Sequence, residues 1–519
     1  MTLPRSFLGR IDLAVRRSGT LADLMLRLAE LHGDKVFVTE ELGPGATRAL
    51  SYADAAEQVT RWSAVIHQRS PAGRPVVVAT ANGVDQFLLC LAVAAAGGLP
   101  APVNPQMSAA EIDHVIADSG ATLVIRDVSD LSRGTGSRAA ARALEVGTFV
   151  ATPDPGAVAA LFYTSGTTGR PKGVELTHRA LVGQVSLAAV WPFTLRQDEI
   201  VLSLPVAHIM GFVALMGPAI AGIPIYFLPR FSPTRVLDVI EERRCSAFMG
   251  VPAMYRTLLE AGAPDRDLTS VRVWISGADV MPGELARRFK SFGATATLPH
   301  FGPVGEAAFI EGYGMVEVGG NVATKVSPPM LPFGLGDSLG LSMPGWRFKV
   351  ADDRGRGVLP GQVGELRLKG PGVLKGYWGD AEATRAAITT DGWLRTGDLV
   401  RSGPFGTVMF QGRAKAVIKS GGYSVYPLEV EADLEDHPDV LEAAVVGVPD
   451  EKLGEVPAAA VRLRKGAAVT APELLVWAGV RMAQYKSPRQ IVIVDDLPRT
   501  GTRKVQRERL LPLFVASTP

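Results

Sequence analysis

LFYTSGTTGRPKGVELTH, residues 161–178, decides how this chain is read. An apolar entry, Leu161 to Tyr163, runs like a β-strand into Thr164, Ser165, Gly166, Thr167, Thr168 and Gly169, with Lys172 and Gly173 close behind. Glycine lets backbone amides approach an anion closely, hydroxyls add donors, and a lysine adds positive charge. Taken alone, such a run reads as readily as a surface turn. It is not a Walker P-loop, because Lys172 is followed by Gly173 rather than Ser or Thr and is not preceded directly by Gly169. The loop points to phosphate without naming a fold.

On either side of this stretch, short apolar runs alternate with amphipathic helical stretches, which suggests parallel βαβ units. Strands are expected within 74–81, 99–104, 121–127, 200–206, 223–229, 246–252 and 271–277, with helices over 84–97 and 108–120. Ser108 followed by Glu111 three residues on is a capping-box pattern that opens the second of these helices. After Gly361 the pattern changes to strands and turns. A compact tail follows, with helices over 428–438 and near 471–484 and strands at 443–450, 458–464 and 490–498. The expected organisation is α/β, with a large multi-subdomain N-terminal α/β domain over 1–413 and a small mobile α+β domain over 414–519.

At 519 residues, 47% hydrophobic and 20% charged, the chain is too long for one core and has the balance of a globular protein. A net charge of +2 gives no basic face of the kind nucleic acid requires. Two apolar runs, Phe87–Val103 and Met210–Phe231, are interrupted by Gly and Pro, so they read as helix-plus-strand units and not as membrane spans. Peripheral membrane contact stays open. Cys90 and Cys245 have no metal spacing and fit a reducing cytoplasm. Oligomeric state is left at monomer or homodimer.

TSGTTGRPKG resembles the phosphate-loop signature of the adenylate-forming superfamily, which includes acyl-CoA synthetases, luciferases and peptide-synthetase adenylation domains. EGYGMVE (311–317), GELRLKGPGVLKGYWGD (364–380), DGWLRTGDL (391–399), GRAKAVIKSGGYSVYPLEVE (412–431) and PRTGTRKVQRERL (498–510) resemble the later signatures of that family, in order. The resemblance implies ATP, Mg²⁺ and CoA as ligands and an active site between the two domains. It implies that Thr164–Lys172 hold the β- and γ-phosphates, and that Glu317, with Thr164, holds Mg²⁺, a hard cation suited to oxygen donors. Tyr313, Gly314 and Met315 would flank adenine, with Gly277, Ala278 and Asp279 as the opposite wall. Asp398 would accept both ribose hydroxyls and Arg413 would add a contact. Lys504 would place positive charge at the substrate carboxylate and the α-phosphate. Lys415 would be the hinge, and Ser420, Gly421 and Gly422 would line the pantetheine path after a domain rotation. Without the family match, Lys504 is one of eight Lys or Arg residues between 481 and 509.

Three positions depart from the pattern. Val316 stands where the family has a Thr, Ala416 follows the hinge where an acidic residue is common, and Arg503 replaces a Gly. The stretch 295–314 is longer than usual and is expected to reshape the acyl pocket. In LPVAHIMGF (204–212) His208 takes the place of the Asp by which peptide-synthetase domains pair a substrate amine. His208 would gate the acid site or orient the carboxylate, or it is a satisfied core histidine. Met249, Val251, Met254 and Met315 are candidate apolar walls. A medium- to long-chain fatty acid is the expected substrate, with an aromatic acid second. The alternatives are loading of a carrier protein instead of CoA, and a catalytically silent nucleotide- or acyl-binding protein.

Overall fold

The computed structural model describes residues 19–132, 150–165, 171–190, 198–298, 300–330, 338–403, 406–500 and 504–515. The chain divides into two compact units, Met1–Arg347 with Lys369–Gly392, and Phe348–Leu368 with Trp393–Pro519.

In the first unit a nine-stranded sheet has the spatial order Leu341–Ser342, Gly320–Ser327, Ala308–Met315, Val273–Gly277, Ala247–Gly250, Ile200–Leu202, Ile225–Phe227, Val36–Gly43 and Ala46–Ser51. From Ala308–Met315 to Val36–Gly43 all neighbours are parallel, and the outer pairings are antiparallel. Parallel strands covered on both faces must be apolar throughout, and Ile200–Leu202 and Ile225–Phe227 are buried at every position. Helices Ile209–Ala221, Pro233–Arg243 and Pro252–Glu260 connect these strands. A smaller parallel sheet, ordered Leu99–Pro102, Pro75–Val78, Leu123–Ile125, carries the expected helices Val84–Ala95 and Ala109–Ser119. The Ser108–Glu111 capping box is formed in both directions.

The two apolar runs are helix-plus-strand units. The second turns at Gly222, whose φ of 77° lies in the left-handed region, before strand Ile225–Phe227. Among the described residues no helix is long and apolar enough to cross a membrane.

The second unit holds a four-stranded sheet, Arg347–Ala351, Val363–Lys369, Leu394–Ser402 and Val408–Arg413, and a five-stranded sheet built on Val440–Asp450 and Gly454–Leu463. The turn Ala414–Ala416 lies between them in sequence. The expected boundary at 413/414 therefore falls inside this unit. Its central strands are apolar on both faces. Ala443, Val445, Ala459 and Val461 pack with Val430, Leu434, Leu474 and Ala478 from helices Pro427–Glu435 and Ala471–Arg481. Ala444, Val446, Ala458 and Ala460 pack on the opposite face with Leu497, Leu510 and Phe514. Period-two alternation thus sorts one apolar run into two cores.

Candidate active site

Strand Val158–Ser165 pairs antiparallel with Pro171–Thr177, setting Thr164 opposite Lys172 and Ser165 opposite Pro171. Gly166, Thr167, Thr168 and Gly169 lie outside the described residues. Gly376–Tyr377 adds a third strand beside Pro171–Thr177. This added strand completes the charge arrangement. The ammonium of Lys172 is 3.1 Å from Oδ2 of Asp380 and 5.6 Å from the centre of the Tyr377 ring. The Tyr377 hydroxyl donates to Oε1 of Glu317 at 3.2 Å. Burial and the neighbouring Glu317 charge push the Tyr377 phenol well above its ordinary value, so it stays a donor. Lys172 and Glu317, which lie 145 residues apart in sequence, thus both meet one tyrosine.

Glu317 sits in the turn Val316–Val318, which closes at Gly319 with φ 72°. The amide side chain of Gln184 donates to the Val318 carbonyl and the Leu374 amide donates to the Glu317 carbonyl, so both flanks pin the turn. One Glu317 oxygen takes the phenol, and a carboxylate has lone pairs to spare for a hard cation. With the Thr164 hydroxyl and phosphate oxygens, this donor set fits Mg²⁺.

The parallel register ends by pairing Gly277 with Gly312, just before Ala278 and Asp279 beyond one strand and Tyr313 and Gly314 on the other. Ala278 has φ 68°, a left-handed conformation that a residue with a Cβ rarely adopts, and such strain gathers at binding sites. A Cβ at Gly314 would lie 1.8 Å from the Gly320 carbonyl oxygen, so only glycine permits this approach of strand Ala308–Met315 to its neighbour. Asp279 is exposed and accepts from the Val280 amide at 2.9 Å. His208 caps helix Ile209–Ala221 by accepting the Met210 amide at Nδ1 at 3.2 Å, which places the proton of a neutral ring on Nε2. The methyl end of Met210 lies 3.5 Å from where a Gly277 Cβ would stand, so the segment around His208 comes close to Gly277.

Met249 and Met315 are half-buried, and Val251 and Met254 are buried at 5% and 2% exposure. Apart from Pro299, which lies outside the described residues, 295–305 contains a two-stranded hairpin, Ala296–Leu298 with Gly302–Val304. Phe301 beside its turn is 83% exposed, so this hairpin forms a surface projection.

In the second unit, Asp398 stands directly opposite Arg413 across the antiparallel pair, with Arg413 Nε 2.7 Å from Oδ1. The Asp398 side chain is only 2% exposed while Arg413 is 46% exposed. The two residues expected at ribose are therefore one ion pair, with the acid underneath. Lys415 is exposed in the turn Ala414–Ala416. Ser420 is buried, and Gly421 and Gly422 form the tip of the hairpin pairing Ser420 with Tyr423. Their φ values of 56° and 86° are those a two-residue turn of this kind demands, so the turn alone accounts for both glycines.

Lys504 is half-buried, with its amide donating to the Thr500 hydroxyl at 3.1 Å and its carbonyl accepting from the Thr500 amide. Arg499 pairs with Glu442 before it, and Arg507 meets both oxygens of Glu431 at 2.8 Å after it. Arg503 lies outside the described residues. Sequence reading missed these two buried carboxylates, and it also missed Tyr377 and Asp380. Tyr377 and Asp380 lie within a quoted family segment, but nothing in their spacing shows that they reach Lys172.

Residues 26–378 match the family model described as AMP-binding enzyme, and 429–504 match the AMP-binding enzyme C-terminal domain. The chain belongs to the AMP-binding enzyme family. It is 32% identical over 483 residues to a feruloyl-CoA synthase of Amycolatopsis sp, covering 88% of this chain and 92% of that protein. It is 34% identical over 361 residues to a long-chain-fatty-acid–CoA ligase of Bacillus subtilis, covering 68% of this chain and 61% of that protein. ATP-bound MatB from Rhodopseudomonas palustris superposes with a TM-score of 0.81 at 29% identity, over 95% of this chain and 99% of that one. The family falls within the adenylate-forming superfamily, and the activity it brings to this chain is ATP-dependent acid–CoA ligation.

Proposed function

We propose that this protein joins an apolar carboxylic acid, a medium- to long-chain fatty acid, to CoA through an acyl-adenylate. The observation that carries the reading is the joined set of Lys172, Tyr377 and Glu317 beside the phosphate strands. In the first step a carboxylate oxygen of the acid attacks the α-phosphorus of ATP and pyrophosphate leaves. Lys172 holds the leaving phosphates, and Lys504 stabilises charge at the attacking carboxylate and the α-phosphate. Mg²⁺ held by Glu317 and Thr164 neutralises phosphate charge when bound. Tyr313 and the Gly277–Asp279 backbone enclose adenine, with Gly314 and Met315 continuing the wall, and Asp398 with Arg413 engages ribose. In the second step the CoA thiolate attacks the acyl carbon and AMP leaves, the thiol proton passing to solvent. Ser420, Gly421 and Gly422 line the thiol's approach, with Lys415 as hinge between the two steps.

Support for an apolar acid comes from the segment around His208, where Ile209, Met210 and Phe212 offer no carboxylate to a substrate amine. The Glu311 carboxylate is matched by Lys325 at 2.7 Å. An aromatic acid is the second reading, favoured by the feruloyl-CoA synthase likeness over most of the chain. Both cysteines are buried and free, which supports a reducing, cytoplasmic setting.

Pyrophosphate release measured over a panel of fatty and aromatic acids, with and without CoA, tests the proposal. Fatty acids should give the highest kcat/KM, with one acyl-CoA and one AMP formed per pyrophosphate when CoA is present. Release that never yields an acyl-CoA would sink the CoA assignment in favour of a carrier-protein acceptor. No release with any acid would leave a binding protein.

A further inference from the structure

We propose that Asp380 is a positioning residue for ATP, acting through Lys172. This rests on the proposed use of ATP by the Lys172 site. Asp380 is itself fixed by its place at the head of helix Ala381–Ala387, where Oδ1 accepts the Ala383 amide at 2.8 Å. Its other oxygen, Oδ2, faces the Lys172 ammonium at 3.1 Å. One side chain thus divides its two oxygens between a helix cap and the phosphate-site lysine. The backbone donors, and then the ammonium, hold the Asp380 carboxyl below the usual range, so it is ionised at neutral pH.

An ammonium has three N–H donors, and Asp380 uses one. The remaining donors are left for phosphate oxygens, while the ring of Tyr377 supports the ammonium from another side at 5.6 Å. Two effects of the carboxylate oppose each other. Its charge repels a triphosphate, but the Lys172 and Asp380 side chains are 29% and 38% exposed, where solvent and salt screen that repulsion. It also removes the rotamer freedom that a loose lysine would have to give up on binding, and that ordering is not screened. The gain from ordering outweighs the screened repulsion, so Asp380 strengthens ATP binding.

The test is calorimetric titration of the full chain with ATP alone, metal chelated, using Asp380→Asn. Asn caps a helix as well as Asp, so the variant removes the charge and keeps the cap. ATP binding should weaken about tenfold, the size expected for ordering one lysine. The same substitution made on Lys172→Ala should weaken binding no further, because the residue acts only through the lysine. Asp380→Ser, a second cap without charge, should reproduce the loss, and thermal melting of each variant checks that the cap survives. Unchanged or tighter binding by Asp380→Asn, or a loss that persists on Lys172→Ala, overturns the positioning role while wild-type binding leaves the functional reading intact. A wild-type chain that binds no ATP overturns both.

Discussion

His178 opens the helix His178–Val185 directly after strand Pro171–Thr177, and its Nδ1 accepts the Leu21 amide at 2.9 Å. The ring is 3% exposed, and burial lowers its pKa from 6.5 to about 4, against the weaker pull of Asp23 and Asp154. Protonation would turn the acceptor into a donor facing another donor, at a helix N-terminus that disfavours positive charge. The folded-state pKa lies below that of the unfolded chain, so between pH 6.5 and about 4 the unfolded state binds more protons. Stability therefore falls as pH drops through this window and loses nothing further from this group below it. The shift corresponds to about 3 kcal/mol at the acid end, at about 1.36 kcal/mol for each pH unit. In His178→Asn the amide oxygen can take the place of Nδ1 and does not titrate. Urea denaturation at intervals from pH 7 to 4 should show wild type losing about 3 kcal/mol more than this variant. Parallel pH profiles for the two chains would refute the argument.

Three further outcomes follow from the site. Lys504→Ala should abolish adenylate formation, read as pyrophosphate release, while thioester formation from supplied acyl-adenylate stays within about threefold of wild type; equal loss in both halves would contradict the division of roles. Val316→Thr should raise the adenylation rate by about two- to tenfold, the worth of one hydrogen bond, as judged by single-turnover kinetics; an unchanged rate would mean that no acceptor lies within reach. Arg507→Ala removes the guanidinium that meets both oxygens of the buried Glu431 and should cost about 2–3 kcal/mol, discounted for the half-exposed arginine. Hydrogen exchange at Val445, whose amide donates to Glu431, reports it, and adding Glu431→Gln should recover part of the loss. A double variant worse than the single would count against the pairing.

Much of this architecture was legible because it rests on local rules. The runs at 200–202 and 225–227 are short, apolar and bounded by turns, which is what a strand covered on both faces requires. Ser108 and Glu111 announced a helix start through a box that needs only four residues. The Asp398–Arg413 pair could be named from motifs, yet its burial could not, since exposure depends on the sheet partner and not on the spacing. The Lys172–Asp380 contact spans 208 residues and has no periodic signature. Gly421 and Gly422 could be named from a motif, but that they form the left-handed tip of a hairpin follows only from the pairing of Ser420 with Tyr423. The length of the stretch 295–314 is visible in sequence, but only pairing shows that its first part, 295–305, forms an exposed hairpin.

The first compact unit takes in Lys369–Gly392 only after the chain has passed through Phe348–Leu368 of the second. During synthesis, Lys172 therefore emerges long before Asp380 and Tyr377 exist. The strand Pro171–Thr177 has an open edge until Gly376–Tyr377 arrives to pair with it. At about 5–20 residues per second, the roughly 200 residues from Thr177 to Tyr377 take about 10–40 seconds to make. For that interval the nascent chain carries an unpaired strand edge, an invitation to wrong partners that a growing polypeptide has to survive. A chain ended at Arg347 would keep that vulnerability permanently, so shortened versions of this protein should aggregate even though the large sheet is complete.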